Sequence, residues 1–242
     1  FNMARKHVKI EPDRWYYWCD KLGLLVWQDM PSGDKYIRGE QPDIQRSPES
    51  AQQFETELKA LIEGRFNHPS IVMWVPFNEG WGQFEAAETV RIVRALDSTR
   101  LVDHASGWFD QGKGDFVSIH MYFRKLSSPK KDESRAFAMS EFGGYSLLLP
   151  GHAWDEKKKF GYRFYETRDA LTDAYLALLD QELAPLIPQG LAVAVYTQTT
   201  DVEIEINGYL TYDRALEKMD GVKIKEAHGK LYEEFRKSTH PD

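Results

Sequence analysis

From Phe1 to Ile10 the polar-and-apolar pattern has a period of two, Met3, Arg5, His7 and Lys9 alternating with Ala4, Val8 and Ile10. That period predicts a strand with Arg5 and His7 on one face. It then lengthens: Trp15, Trp18, Cys19 and Leu22 recur at helical spacing behind Asp13 as N-cap, and Gly23 stops the helix. Leu24 to Trp27 is a second strand, ending in Gln28, Asp29, Met30 and Pro31. A loop of Gly, Pro and charged residues, Ser32 to Arg46, leads to a helix opened by Ser47 and Pro48. Phe54, Leu58, Leu61 and Ile62 form its inner stripe, and Asn67-His68-Pro69 ends it.

Ile71 to Val75 is apolar without alternation, as expected for a strand covered on both faces in a parallel sheet. A helix from about Gln83 to Leu96 carries Ala86, Val90, Val93 and Leu96 on one side. Strands follow at Leu101 to His104 and Phe116 to Tyr122, then a lysine-rich segment expected to be solvated, and a strand at Ala136 to Ser140. A long helical region containing Tyr162, Leu171, Tyr175, Leu178 and Leu179 runs to Pro185 and Pro188. Leu191 to Tyr196 is the last strand, and a final amphipathic helix holds Leu231 and Phe235. Seven strands alternating with helices predict a parallel α/β fold with no internal repeat. A (β/α)8 TIM barrel needs eight strands and commonly about 250 residues. The expectation is therefore one catalytic barrel over residues 1–242 that lacks its first strand in this chain.

Composition narrows the partners. With 42% hydrophobic residues over 242 the chain can bury a sizeable core, and a net charge of −7 offers no basic field for nucleic acid or an anionic membrane. No apolar run approaches the roughly 18 residues that span a bilayer. The N-terminus carries no signal-peptide pattern, and Cys19, the single cysteine, rules out an internal disulfide. Compartment and oligomeric state are left open.

Candidate chemistry sits at strand ends: His7, Asp29, Glu79, His104, Tyr122, Glu141 and Gln198. In a parallel α/β fold the C-terminal ends of the strands are where ligands bind, so these residues are expected to share one mouth. Only Glu79 and Glu141 follow an apolar run and precede glycines and aromatics, three strands apart. Two facing carboxylates rimmed by Trp81, Trp108 and Tyr145 are the apparatus for cleaving a glycosidic bond, with one acid protonating the leaving oxygen and one nucleophile or base on the opposite sugar face. The aromatic rings offer platforms for pyranose faces, Asn78 a partner for the sugar 2-hydroxyl, and Gly143 and Gly144 a close backbone approach. Arg5 and His7 are read as substrate contacts, with pairing to rim carboxylates as the structural alternative. His120 faces either the interior or the helix layer. Tyr196 and Gln198 floor the pocket, Trp15, Trp18 and Trp74 are core, and Lys157 to Lys159 face solvent.

Asn67-His68-Pro69-Ser70-Ile71 with Trp74, Asn78 and Glu79, then Ser140-Glu141-Phe142-Gly143-Gly144, with Arg5-Lys6-His7 near the start, together resemble the catalytic barrel of glycoside hydrolase family 2, which includes β-galactosidases, β-glucuronidases and β-mannosidases. The stretch Tyr196 to Glu203, with Asn207-Gly208 and Thr211-Tyr212-Asp213, is similar to the ending of many bacterial members. The resemblance covers essentially the whole chain. It implies a retaining, exo-acting β-glycosidase of carbohydrate substrates, with Glu79 after the fourth barrel strand as acid/base and Glu141 after the seventh as nucleophile. It also implies a Tyr122 that hydrogen-bonds Glu141. Gln28-Asp29-Met30-Pro31 departs from the Asp-Glu common in β-galactosidases, so that family's metal site is not carried over, and no metal or cofactor is expected. The family's sugar-binding and immunoglobulin-like domains are not found in these residues. The rival reading is a carbohydrate-binding protein, or an inert fragment, that keeps the pocket without turnover.

Overall fold

A computed structural model describes residues 1–130 and 132–239. The chain divides into two compact units, Phe1–Ile119 with Asp132–Ala138, and His120–Lys131 with Met139–Asp242.

In the first unit, β1 (Met3–Lys6), β2 (Leu25–Asp29), β3 (Ile71–Val75) and β4 (Leu101–Val102) form a four-stranded sheet in that order, each pair parallel. The connecting helices are α1 (Asp13–Leu22), α2 (Pro48–Arg65) and α3 (Ala86–Leu96). β3 is covered because its side chains are apolar on both faces; Val26 of β2 and Ile71 and Trp74 of β3 join Phe54, Leu58, Leu61, Ile62, Val90 and Val93 in one core. α2 starts as expected, Ser47 Oγ accepting the Ser50 N–H and Pro48 filling the first turn.

α1 differs from its prediction. Pro12, not Asp13, is the N-cap, and the buried stripe is Tyr16 and Cys19, while Trp18 and Leu22 are exposed. Tyr16 wins the inward position because its hydroxyl has a buried partner, donating to Gln28 Oε1 at 2.5 Å. Trp18 instead lies under Lys21 at 4.9 Å, a cation–π contact on the surface. Trp15 is only partly buried at the core's edge, whereas Trp74 lies within it. The first strand is also shorter than its alternation suggested, because Val8 takes a left-handed backbone, φ 48°, and ends it.

The second sheet has the order β5 (Phe116–Met121), β6 (Ala136–Gly143), β9 (Leu191–Thr197), and β7 (Tyr145–Ser146) pairs parallel with β8 (Arg163–Phe164). Every one of the seven predicted strands is present. Tyr162 is not helical: α4 (Arg168–Leu178) begins only after the Thr167 side chain caps Ala170. A π-helical turn, Leu179–Leu183, and a 3₁₀ segment, Ala184–Gln189, carry the chain to Pro188. α5 (Gly221–Thr239), the final helix expected to hold Leu231 and Phe235, buries Ile224, with Leu231 half-buried and Phe235 exposed. Among the described residues no helix is long and apolar enough to cross a membrane.

Candidate active site

β3 ends by turning sharply. Ser106 receives the Glu79 N–H at 2.9 Å and its own N–H donates to the Phe77 carbonyl at 3.0 Å, which fixes the residues between. Glu79 itself adopts a left-handed backbone, φ 55°, followed by Gly80 at φ 78° and Gly82 at φ 63°. For a non-glycine residue that conformation costs about 1–2 kcal/mol, a strain kept where the surroundings over-determine it, as at functional positions. The loop 32–46 supplies that over-determination. Ile37 N–H donates to Gly80 O at 3.3 Å, Gly82 N–H to Lys35 O at 2.8 Å, and Ser32 Oγ to Trp81 O at 2.8 Å. Arg46 spans the Ser32 and Gly82 carbonyls, and a Cβ on Gly82 would lie 2.0 Å from Gly33 O.

Beside Glu79 the strand ends interlock through Arg5. Its guanidinium donates to Asp29 Oδ1 at 3.1 Å and Oδ2 at 2.8 Å, and to Asn78 Oδ1 at 2.7 Å. Asn78 Nδ2 lies 3.3 Å from His7 Nε2. Asp29 is 1% exposed and also accepts the Val8 N–H, so its carboxylate is held by protein donors and orients Arg5. Burial raises the Glu79 carboxyl pKa, opposed by the positive charges of His7 and Arg5. Glu79 is thus a carboxyl biased toward its protonated form.

His104 is buried behind this edge. Its Nε2 accepts the Gln111 N–H at 3.0 Å, a role open only to the neutral ring, and burial lowers its pKa accordingly. It therefore holds the Asp110 to Gln111 turn. Next to it Asp103, unremarked in the sequence, is fully enclosed; Oδ1 accepts from Ser118 Oγ at 2.9 Å, and burial pushes the carboxyl up to about 7. Trp81 and Trp108 are half-exposed, Trp81 packing 5.1 Å from Tyr36 with its remaining face open, so both have surface to offer a sugar.

In the second unit Glu141, near the end of β6, accepts a hydrogen bond from Tyr122 Oη and lies 3.5 Å from His120 Nδ1. The Tyr122 hydroxyl is also 3.0 Å from Thr197 Oγ1. Burial and the Glu141 charge hold the Tyr122 pKa far above its ordinary value, so this hydroxyl remains a donor. His120 is buried, its Nδ1 turned to the same carboxylate as Tyr122. Tyr162 stacks flat on Tyr122 at 3.7 Å. The two glycines after Glu141 allow this packing: a Cβ on Gly143 would sit 2.2 Å from the Tyr196 ring, and one on Gly144 2.3 Å from Tyr162.

Tyr145, expected as a platform, is buried, its N–H donating to Tyr196 Oη at 3.1 Å. Tyr196 is thereby a support for the Gly143-Gly144 turn. Gln198 is half-buried, its Nε2 bonded to Asn207 Oδ1 at 2.7 Å. Behind it the fully buried Lys218 pairs with Asp201 at 2.7 Å and with the Ile206 carbonyl at 2.8 Å, pinning the 198–210 stretch. Thr197 and Tyr162 were missed by sequence reasoning. Thr197 carried a usable signal as the last residue of a strand next to Gln198, whereas Tyr162 had none.

Comparison with known proteins agrees with this architecture. Residues 4–141 match the family described as glycosyl hydrolases family 2, TIM barrel domain. The chain is 38% identical over 148 residues to β-mannosidase B of Aspergillus flavus, an alignment covering 61% of this chain and 14% of that one. It is 29% identical over 172 residues to a β-galactosidase of Priestia megaterium, covering 59% and 16%. The β-galacturonidase of Eisenbergiella tayi bound to galacturonate superposes with a TM-score of 0.67 at 18% identity, covering 97% of this chain and 45% of that one. The chain thus spans a small part of the curated relatives it matches and less than half of that solved structure. It belongs to glycosyl hydrolase family 2, and its fold is that family's (β/α)8 TIM barrel.

Proposed function

We propose that residues 1–242 are the catalytic domain of a retaining β-glycosidase that removes terminal β-linked sugars by double displacement. Glu141 attacks the anomeric carbon and forms a glycosyl ester while Glu79 gives its proton to the departing oxygen. Glu79, now a carboxylate, then takes a proton from water; the oxygen attacks the same carbon, the ester breaks, and both carboxyls return to their starting states. The observation that carries the reading is the difference in surroundings of the two strand-end glutamates. Glu79 sits where burial favours its protonated form, and Glu141 receives the Tyr122 hydroxyl. Acid and nucleophile are distinguished in this way in enzymes that run both chemistries at one pH. Arg5, through Asn78, and His7 are the contacts for the sugar, and Trp81 and Trp108 its platforms. The names of the relatives, β-mannosidase, β-galactosidase and β-glucuronidase, define the class of sugars to screen.

The test is covalent trapping with a panel of 2-deoxy-2-fluoro glycosyl fluorides followed by peptide mapping. One sugar is expected to add its mass to the peptide containing Glu141. If every configuration leaves the folded protein unlabelled, the chain is a binding protein or an inactive barrel. Glu141→Ala is expected to abolish turnover, whereas Glu79→Ala should spare aryl glycosides with good leaving groups and lose alkyl glycosides. Equal loss on both substrates would contradict the assigned roles.

A further inference from the structure

Beside Glu141 the second unit presents aromatic surface that the double displacement does not use. Tyr162, stacked on Tyr122, is met edge-on by Phe123 at 5.2 Å and Phe160 at 5.4 Å. Phe123 is 73% exposed and Phe160 46%. Exposed rings clustered next to a site offer apolar surface on which a ligand can be buried. The same two stretches concentrate positive charge in a chain of net charge −7. Arg124 and Lys125 follow Phe123, Lys157, Lys158 and Lys159 precede Phe160, and Arg163 follows Tyr162.

None of these six cations is in an ion pair among the described residues. Arg163 donates to the Phe123 carbonyl at 3.4 Å, which ties the two stretches together, and Lys159 lies 5.5 Å from the Phe164 ring. Of the acids next to these cations in the chain, Asp155 accepts the Lys157 and Lys158 N–H groups and Glu156 accepts that of Gly151, while Glu205, bridged to Phe160, accepts from Asn207 Nδ2.

We infer that Phe123, Tyr162 and Phe160, with the cations around them, form a subsite for the part of the substrate beyond the cleaved sugar, and that this part is an anionic saccharide. Its carboxylate or sulfate groups meet Lys157 to Lys159, Arg124 and Arg163 while the apolar face of its ring lies on Phe123 and Phe160. The inference rests on Glu141 as the nucleophile, since Tyr122 and Tyr162 are what connect the patch to the reacting carbon. A local basic field on an acidic protein also steers such substrates to this side of the site, an effect that salt removes.

Binding is measured by calorimetry in the Glu141→Gln protein, with a β-linked uronic acid tetrasaccharide and its neutral methyl ester as probes. The charged form is expected to bind at least tenfold tighter at low salt, with the advantage shrinking as salt rises. Phe123→Ala with Phe160→Ala should weaken both forms. Replacing Lys157, Lys158 and Lys159 together by Gln should erase the preference and leave the neutral probe's affinity unchanged. Equal affinity for the two probes, binding of neither, or a preference that survives the triple lysine variant overturns the subsite. Labelling at Glu141 without any charge preference rejects the subsite alone. A charge preference without labelling rejects the catalytic reading and leaves only saccharide binding.

Discussion

At the scale of single residues, the site is made by side chains that give up exposure to hold others. Arg5 and Asp29 are the clearest pair, their side chains 2% and 1% exposed. Breaking a buried pair from one side leaves an uncompensated charge and typically costs 3–5 kcal/mol. Asp29→Ala is therefore expected to destabilise the protein by about that much in urea titrations, whereas removing both partners should cost less than the sum of the two single changes. Legibility in the sequence followed the same division. Glu79 and Glu141 could be singled out because each ends an apolar run, which is a local signal. That Asp29 would be bonded to Arg5 and His104 to Gln111 was hidden, because those partners are brought close only by folding.

Among the elements, helices and strands with one strong pattern were predicted well. α2 has its cap, its first-turn proline and all four inner residues where the period put them. Ser47→Ala is expected to cost about 1 kcal/mol through loss of the cap, and Leu58→Ala about 2–5 kcal/mol through the cavity it leaves; chemical denaturation distinguishes the two by size. α1 misled because Trp15, Trp18 and Leu22 share helical spacing with Cys19 as well as Tyr16 does. Periodicity alone has no means of ranking two apolar faces, and the hydrogen bond from Tyr16 to Gln28 decided between them. Tyr162 was misassigned for a related reason: its segment has helical composition, but β7 and β8 pair across it.

For the molecule as a whole, Asp103 links stability to pH. Its carboxyl is raised from 3.8 to about 7, so the folded state binds a proton that the unfolded chain has already released. The contribution is fully present below about pH 4 and is lost as pH rises to about 7, at a slope of up to about 1.4 kcal/mol per pH unit. The buried His104 works in the opposite sense, its pKa lowered from 6.5 to about 4, so its contribution to the folded state is gained as pH rises between those two values. Comparison with Asp103→Asn isolates the first effect: the variant is expected to gain stability relative to the parent between pH 4.5 and 7.5, and a constant difference across that range would contradict the assignment. Nothing in the sequence announced this residue, since one carboxylate in a short strand looks like any other until Ser118 and the covering layers are placed around it.

The clamp between the loop 32–46 and the turn at Glu79 has a consequence for anyone wishing to retune this site. That loop reads as dispensable decoration, yet its carbonyls and amides are the mould in which the Glu79 backbone is cast. Grafting it from a relative on its own would let Glu79 drift. The two segments are best exchanged as a single cassette, and across natural family members their changes should be inherited together.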